Sequence, residues 1–216
     1  MRFDEAVGRL ARFPDPLPNG ADALIPVLVS PTGAGADGRR PRWPRGERAM
    51  RPAGVLVLLF PDEDGLARVV LTERATRDGH HSGEVSLPGG RVETHDPDIA
   101  ATALREAAEE VGLDVVAARV RVMGLLERFM IPVSDFEVTP VVAIAERRPV
   151  LVASEAEVAR IVEPPVTAFL PGAPITMVER TIGEWPVRYG AYDIDGLSVW
   201  GATARILSQL GAVLAS

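Results

Sequence analysis

Cysteine and lysine are both absent from this 216-residue chain. Without cysteine there can be no disulfide, no cysteine-ligated zinc and no thiol catalysis. Without lysine, all 23 basic residues are arginines, so a lysine nucleophile or Schiff base is excluded as well. Any anionic ligand must therefore be held by arginine, by backbone N–H groups or by a metal ion.

A basic balance and long apolar runs are also missing. The formal net charge is −7, whereas general nucleic-acid binding usually shows as a basic balance or stripe. No stretch approaches the ~20 apolar residues of a membrane span, and the acidic start "MRFDEAVGRLARF" is unlike a signal peptide. We therefore expect a cytoplasmic protein that binds neither nucleic acid nor membrane.

The length and the 47% hydrophobic content fit one globular domain, or one domain with an appendage. Residues 3–12 have the apolar spacing of a short amphipathic helix. Residues 14–54 are rich in Pro, Gly and Arg, which is typical of a loop or linker; the cluster Arg39 to Arg51 belongs to it. We predict an N-terminal helix and insertion over residues 1–50 and the main domain over 51–216.

Strands and helices alternate along the main domain, which predicts an α/β or α+β class with a mixed sheet. Strands are predicted at 53–60, 67–73, 84–90, 120–127, 136–146, 175–180 and 186–194. Helices are predicted at 97–111, 154–162 and 199–214, the last with Trp200, Ala204, Leu207 and Leu210 on a core-facing side.

The segment "LREAAEEVGL" (104–113) crowds three carboxylates onto one helix. Glu106 and Glu110 are four residues apart and share a face, and Glu109 can reach the same space. Arg105 can pair with Glu109. Because such carboxylates repel one another unless cations neutralise them, and because Mg2+ and Mn2+ prefer oxygen ligands, the segment indicates a divalent metal site. A solvated acidic face is the alternative.

The ends of this helix carry capping signals. Asp96 is predicted to be its N-cap, with Pro97 at the first helical position, and Gly112 is a natural terminator. Between them, an apolar stripe is expected to face the core: Ile99, Ala103, Leu104, Ala107 and Val111. The glycine loop "LPGGRVETHD" runs into the helix and lets backbone approach a metal or phosphate closely.

The run "GGRVETHDPDIAATALREAAEEVGL" resembles the signature of the Nudix hydrolases. That signature is Gly, five residues, Glu, seven residues, Arg-Glu, an aliphatic residue, any residue, Glu-Glu, any residue, Gly and an aliphatic residue. The matching positions here are Gly90, Arg105, Glu106, Glu109, Glu110, Gly112 and Leu113. The sequence departs where Asp96 stands for the first Glu, where eight residues precede Arg105, and where Ala107 replaces a larger aliphatic residue.

The preceding segment, "LTERATRDGHHSGEVSLPGG" (71–90), is similar to the coenzyme A pyrophosphatase branch of that family. The positions in register are Thr72, Arg74, Ala75, His81, Gly83, Val85, Ser86 and Pro88 to Gly90. Leu87 replaces an aromatic residue, and the branch tolerates the extra residue before Arg105. The resemblance covers about residues 52–210 and implies a Nudix-type α/β/α sandwich with a mixed β-sheet between helices.

The resemblance implies metal-dependent hydrolysis of the diphosphate of coenzyme A or acyl-CoA to 3′,5′-ADP and (acyl-)4′-phosphopantetheine. It implies Mg2+ or Mn2+ on Glu106, Glu109, Glu110 and the carbonyl of Gly89. It also implies catalytic roles for Glu106, Arg105 and Glu109, and substrate contacts for Arg74, His81 and Gly90.

Several assignments stay open at this point. Unless a metal hydroxide suffices, the general base is Glu106 or a residue of a separate loop, for which Glu127 and Asp135 are candidates. His80 and His81 are better turn or packing residues than zinc ligands, since only one other His exists. The substrate could instead be ADP-ribose or another nucleoside diphosphate derivative, or the chain could be a non-catalytic sensor. A homodimer is common in the superfamily and remains a candidate.

Overall fold

The structure is a computed structural model that describes residues 1–29, 49–75, 84–131, 134–182 and 185–216. The helices are α1 (Phe3–Leu10), α2 (Ile99–Val111) and α3 (Gly201–Ala215). The strands are β1 (Val27–Leu28), β2 (Arg51–Pro61), β3 (Ala67–Val69), β4 (Leu71–Arg74), β5 (Val85–Ser86), β6 (Gly89–Arg91), β7 (Val120–Leu125), β8 (Phe129–Ile131), β9 (Phe136–Ala145), β10 (Val158–Val162), β11 (Thr176–Ile182), β12 (Trp185–Ile194) and β13 (Leu197–Val199). Short 3-10 turns occupy Asp22–Leu24 and Val166–Phe169.

A six-stranded mixed sheet forms the centre of the fold. Its main path is β3-β2-β9-β7, with β6 also pairing β2 and β8 also pairing β9. Strands β2 and β9 run parallel over nine residue pairs, while the other pairings are antiparallel. Because β2 and β9 are central and covered on both faces, they read as nearly continuous apolar runs.

Helices cover both faces of this sheet, which confirms the predicted α/β/α class. On one face, α2 packs against alternate residues of β2; this cluster includes Ala103, Ala107 and Val111 with Leu56 and Leu58. On the other face, the intervening residues of β2 pack with α1 and α3; that cluster includes Val57, Leu59, Leu10, Leu207 and Leu210. The two-residue period of the strand therefore separates two cores.

Two smaller sheets flank the central one. Strands β10, β4 and β5 form an antiparallel sheet next to the glycine loop. Strands β1, β12 and β11 form the other, with β13 also pairing β12. The β5 strand leads directly into Pro88 and Gly89, so the small sheet delivers the glycine loop to the central sheet.

Three sequence predictions are wrong in detail. Residues 154–162 do not form a helix. The end of this segment is the strand β10, because Val158, Ile161 and Val162 pair with β4 and bond with its backbone. Asp96 is not the N-cap of α2; Asp98 is, since its carboxylate accepts from the N–H of Ala101 at 2.8 Å. Pro97 consequently lies before the helix rather than inside it.

The closing helix is confirmed with a shifted start. Ala204, Leu207 and Leu210 are fully buried in the main core, as predicted. Trp200 lies just before α3 and packs on a separate cluster with Tyr189. The C-terminal boundary of α2 is also confirmed, because Gly112 adopts the left-handed conformation at φ 65° that ends a helix there.

The N-terminal residues pack into the main domain. Leu10 and Leu24 are 1% and 0% exposed, and β1 pairs β12. Residues 30–48 of the predicted insertion lie outside the described residues, and the domain boundary at residue 50 stays a prediction. None of the helices in the described residues combines the length and apolar character needed to cross a bilayer.

Candidate functional site

The helix α2 and the β6 strand lie against each other where the glycine loop meets the central sheet. The carboxyl of Glu106 lies directly against Gly90: a Cβ atom on that residue would come within 2.4 Å of the carboxyl carbon. The backbone N–H of Gly89 donates to the carboxylate of Glu110. Gly90 is therefore needed for the close approach of the Glu106 carboxylate, and Gly89 for the close approach of the loop to Gly54 and Val55 of β2.

The two inward carboxylates lie in an environment that opposes their ionisation. Burial raises the pKa of Glu110 to about 7, and repulsion from Glu106 and Glu157 adds to the effect. Burial also raises the pKa of Glu106, while its hydrogen bond with Arg105 opposes that shift. A buried carboxylate pair with raised pKa values is stabilised by a cation, so the electrostatics favour a positive ligand at this place.

Arg105 forms ion pairs with three carboxylates, including that of Glu106. Its guanidinium is 2.9 Å from the carboxylate of Glu106, 3.3 Å from that of Glu109 and 3.0 Å from that of Asp96. The predicted pairing with Glu109 is thus confirmed, but the bond with Asp96 is shorter and more buried. Since Glu109 is 60% exposed, it lies on the outer side of the cluster, whereas the side chain of Glu106 is only 16% exposed.

Asp96 fixes the position of the Arg105 guanidinium. Its carboxylate accepts two bonds from Arg105, one from the hydroxyl of Thr102 and one from the N–H of Glu93. These donors, Arg105 first, hold the pKa of Asp96 well below its usual range, and the pKa of the Arg105 guanidinium is raised in return. Asp96 therefore occupies a positioning role for the arginine, which explains why it does not cap the helix.

Glu157 is a fourth carboxylate that sequence reasoning missed. It raises the pKa of both Glu106 and Glu110 by repulsion, so its charge lies close to both. Two backbone bonds place it there: the N–H of Ser154 donates to the carbonyl of Glu110 at 2.8 Å, and the N–H of Ala75 donates to the carbonyl of Glu157 at 2.9 Å. The mistaken helix at 154–162 concealed it, because only the pairing of β10 with β4 brings this turn to the site.

Arg74 provides the nearby positive charge. Arg74 is the last residue of β4 and is exposed, and its attraction partly opposes the rise in the pKa of Glu110. An exposed arginine beside buried carboxylates can bind a phosphate that a cation on those carboxylates also contacts. His80 and His81 lie outside the described residues, so the predicted substrate contact of His81 stays a prediction.

The two candidates for a separate general base lie elsewhere in the described residues. Glu127 pairs with Arg205 at 3.7 Å, and its backbone N–H donates to Gln209 on α3. The carbonyl of Asp135 accepts from the N–H of Arg51 at the start of β2. Glu157, by contrast, is among the charges that act directly on Glu106 and Glu110.

The donor set fits a divalent cation in kind and charge. The carboxylates of Glu106, Glu110 and Glu157 interact electrostatically, and those of Glu106 and Glu110 lie beside the glycine loop. Hard cations such as Mg2+ and Mn2+ take oxygen ligands together with waters and substrate phosphates. Within the described ranges, no group of three or more acidic or histidine side chains lies close enough together to hold a metal ion by itself. A cation bound here would therefore need oxygens of water and substrate phosphate to complete its shell.

Comparisons with known proteins decide the family. The NUDIX domain family matches residues 50–167. The chain is 36% identical over 177 residues to "Uncharacterized Nudix hydrolase NudL" from Enterobacter sp. (strain 638), covering 79% of this chain and 86% of that protein. The chain belongs to the Nudix family.

Other Nudix relatives are longer than this chain. "Nudix hydrolase 22, chloroplastic" from Arabidopsis thaliana is 39% identical over 171 residues, which are 76% of this chain and 55% of that protein. The chain thus spans about half the length of the plant relatives it matches. A solved Nudix hydrolase from M. smegmatis, RenU, is 25% identical and covers 62% of this chain and 78% of that one, with a TM-score of 0.46.

Proposed function

We propose that this Nudix chain hydrolyses the diphosphate linkage of coenzyme A or an acyl-CoA, giving 3′,5′-ADP and (acyl-)4′-phosphopantetheine. One observation carries the proposal: the half-buried carboxylate of Glu106 lies against Gly90, and that of Glu110 accepts from the N–H of Gly89. These glycines end the segment that resembles the coenzyme A pyrophosphatase branch. The Nudix family membership supports hydrolysis of a nucleoside diphosphate derivative, and the 71–90 segment supports the coenzyme A substrate.

The proposed cofactor is Mg2+ or Mn2+, held by Glu106, Glu109 and Glu110 with the carbonyl of Gly89. Bound there, the cation would neutralise phosphate charge and acidify a water molecule. Glu109 is included although its side chain is exposed, because its charge acts on Glu106 and raises the pKa of that carboxyl.

Residues of this chain would supply the remaining requirements. Arg74 binds a phosphate oxygen next to Glu110. Arg105, fixed by Asp96, holds Glu106 in its orientation. Water attacks one phosphorus, the new P–O bond forms as the bond to the bridging oxygen breaks, and the water proton passes to a carboxylate. Glu157 is our candidate for that base, because its side chain is exposed whereas those of Glu106 and Glu110 are half-buried and assigned to the metal.

A substrate panel tests the proposal. Coenzyme A, acetyl-CoA and ADP-ribose are incubated with Mg2+ or Mn2+, and the products are separated by chromatography. We expect 3′,5′-ADP from both coenzyme A substrates at higher kcat/KM than cleavage of ADP-ribose. Preferred cleavage of ADP-ribose would replace the coenzyme A assignment and keep the site, whereas tight binding of coenzyme A without turnover at saturating metal would indicate a sensor.

A further inference from the structure

A stacked aromatic pair lies at the surface near the glycine loop. The rings of Tyr189 on β12 and Trp200 before α3 stack with centroids 4.7 Å apart and an interplanar angle of 28°. The guanidinium of Arg180 on β11 lies 4.3 Å from the centre of the Trp200 ring. Tyr189 is 2% exposed and completes a small apolar cluster, but Trp200 is only partly buried and the Arg180 side chain is 44% exposed.

Two contacts tie this group to the strand that precedes the glycine loop. Arg180 pairs with the carboxylate of Glu84 at 3.7 Å. The hydroxyl of Thr203, in the first turn of α3, donates to the carbonyl of Val85 at 3.2 Å and is buried. Glu84 and Val85 are therefore held next to the stacked pair from two different elements, β11 and α3.

The same strand is continuous with the phosphate site. The N–H of Arg74 donates to the carbonyl of Glu84 at 3.0 Å, and Arg74 is the positive charge that acts on Glu110. The backbone bond between Arg74 and Glu84 and the ion pair between Glu84 and Arg180 thus place the stacked group beside the end of β4 that carries Arg74. A ligand whose phosphates lie at Arg74 can extend along β5 toward Trp200.

We propose that Trp200 and Arg180 bind the purine base of the nucleotide substrate by stacking. The proposal rests on the function above, which places the diphosphate at Glu106, Glu110 and Arg74. Indole and guanidinium both present flat faces on which a base stacks, and such stacking is tolerant of base identity because every base has a π-face. Tyr189 supports the indole from the protein interior and fixes its plane.

The chemistry of the group favours a base over the other parts of a nucleotide conjugate. A ribose or a pantetheine chain has no planar face to place on an indole. A two-ring purine covers more of the indole and guanidinium than a one-ring pyrimidine does. We therefore expect the site to prefer purine over pyrimidine nucleotides and to discriminate weakly between adenine and guanine.

Equilibrium binding tests the proposal without hydrolysis. Titration calorimetry measures the Kd of AMP and of ribose 5-phosphate for wild type, Trp200→Leu and Arg180→Lys, with folding checked by circular dichroism. Trp200→Leu should weaken AMP binding by roughly 10- to 100-fold, in line with the loss of one base–aromatic stack, and leave ribose 5-phosphate unchanged. Arg180→Lys keeps the charge and removes the plane, so a smaller loss confined to AMP is expected.

Arg188→Lys is the matched control, because Arg188 lies in the same hairpin, is exposed, and pairs with Glu179 rather than with the stack. It should leave both Kd values unchanged. Equal AMP affinity in wild type, Trp200→Leu and Arg180→Lys would overturn the stacking proposal. Should Trp200→Leu prove unfolded, the Arg180→Lys result alone decides.

Kinetics separate this proposal from the proposed function. With coenzyme A as substrate, Trp200→Leu should raise KM and leave kcat within about twofold, since stacking away from the reacting phosphorus contributes uniform binding. Selective loss of AMP binding in an enzyme that does not cleave coenzyme A would retain the base site and reject the coenzyme A assignment. Cleavage of coenzyme A with an unchanged KM in Trp200→Leu and Arg180→Lys would retain the coenzyme A assignment and reject the base site.

Discussion

Glu110 is the residue at which burial and charge conflict most in the metal-free protein. Its raised pKa of about 7 arises first from burial and then from Glu106 and Glu157. A carboxyl whose pKa is higher in the folded chain than in the unfolded chain stabilises the fold at low pH. That contribution disappears as the pH rises through about 7.

The first prediction follows from this decrease in stability with rising pH. In metal-free protein, Glu110→Gln should raise the free energy of unfolding at pH 8 by on the order of 2 kcal/mol, because a neutral amide removes the burial penalty and its oxygen can still accept from Gly89. At pH 4.5 the same substitution should be nearly neutral. Urea unfolding at the two pH values in a chelator measures it, and an equal effect at both would contradict the account.

Asp96 gives a second prediction at this scale. Asp96→Asn should weaken the orientation of Arg105 and, through it, of Glu106, and reduce apparent Mg2+ affinity or kcat by about 10- to 100-fold, as loss of an outer partner typically does. Metal titration of the initial rate measures it. Asp98→Asn is the control, since asparagine caps a helix as well as aspartate, and it should leave the metal dependence unchanged.

At the scale of single elements, α2 and the glycine loop could be predicted from sequence because their signals are local. The apolar stripe, the carboxylate spacing and Gly112 all lie within fourteen residues of one another. The segment 154–162 could not, because its acidic, alanine-rich start favours a helix locally while pairing with β4 fixes its end as β10. Long-range pairing overrides local propensity in such segments.

The third prediction concerns Glu157, which the pairing of β10 with β4 brings near the site. Glu157→Gln should lower kcat for coenzyme A by about 10²-fold or more, within the range expected for loss of a general base. The loss in apparent Mg2+ affinity should be smaller. Glu155→Gln, two residues away on the same exposed turn, is the matched control. Comparable activity of Glu157→Gln and Glu155→Gln would exclude Glu157 as base.

At the scale of the whole molecule, the N-terminal residues take part in the main core. The sequence predicted a short helix followed by a loop or insertion over residues 1–50, because the Pro- and Gly-rich stretch has little periodicity. The structure packs Ala6, Leu10 and Leu24 with core residues of β2 and α3, and Phe13 lies against Gly124 on β7. Such contacts depend on tertiary packing, which composition does not encode.

The fourth prediction tests this integration. Leu10→Ala should reduce the free energy of unfolding by about 2–5 kcal/mol, the usual cost of a large-to-small change in a core. Arg12→Ala, at an exposed position nearby, should change it by less than about 0.5 kcal/mol. If Leu10→Ala were as mild as Arg12→Ala, the N-terminal helix would contribute little to the main core, which would contradict the account.

The initial rate of 3′,5′-ADP release from coenzyme A tests the central claim most directly. The rate is measured with Mg2+ for wild type, Glu110→Gln and Glu155→Gln, with and without chelator. We predict metal-dependent release by wild type and Glu155→Gln, and a loss of at least about 10²-fold in Glu110→Gln despite its intact fold. Release that survives Glu110→Gln or chelation, or no release by metal-loaded wild type, would contradict it.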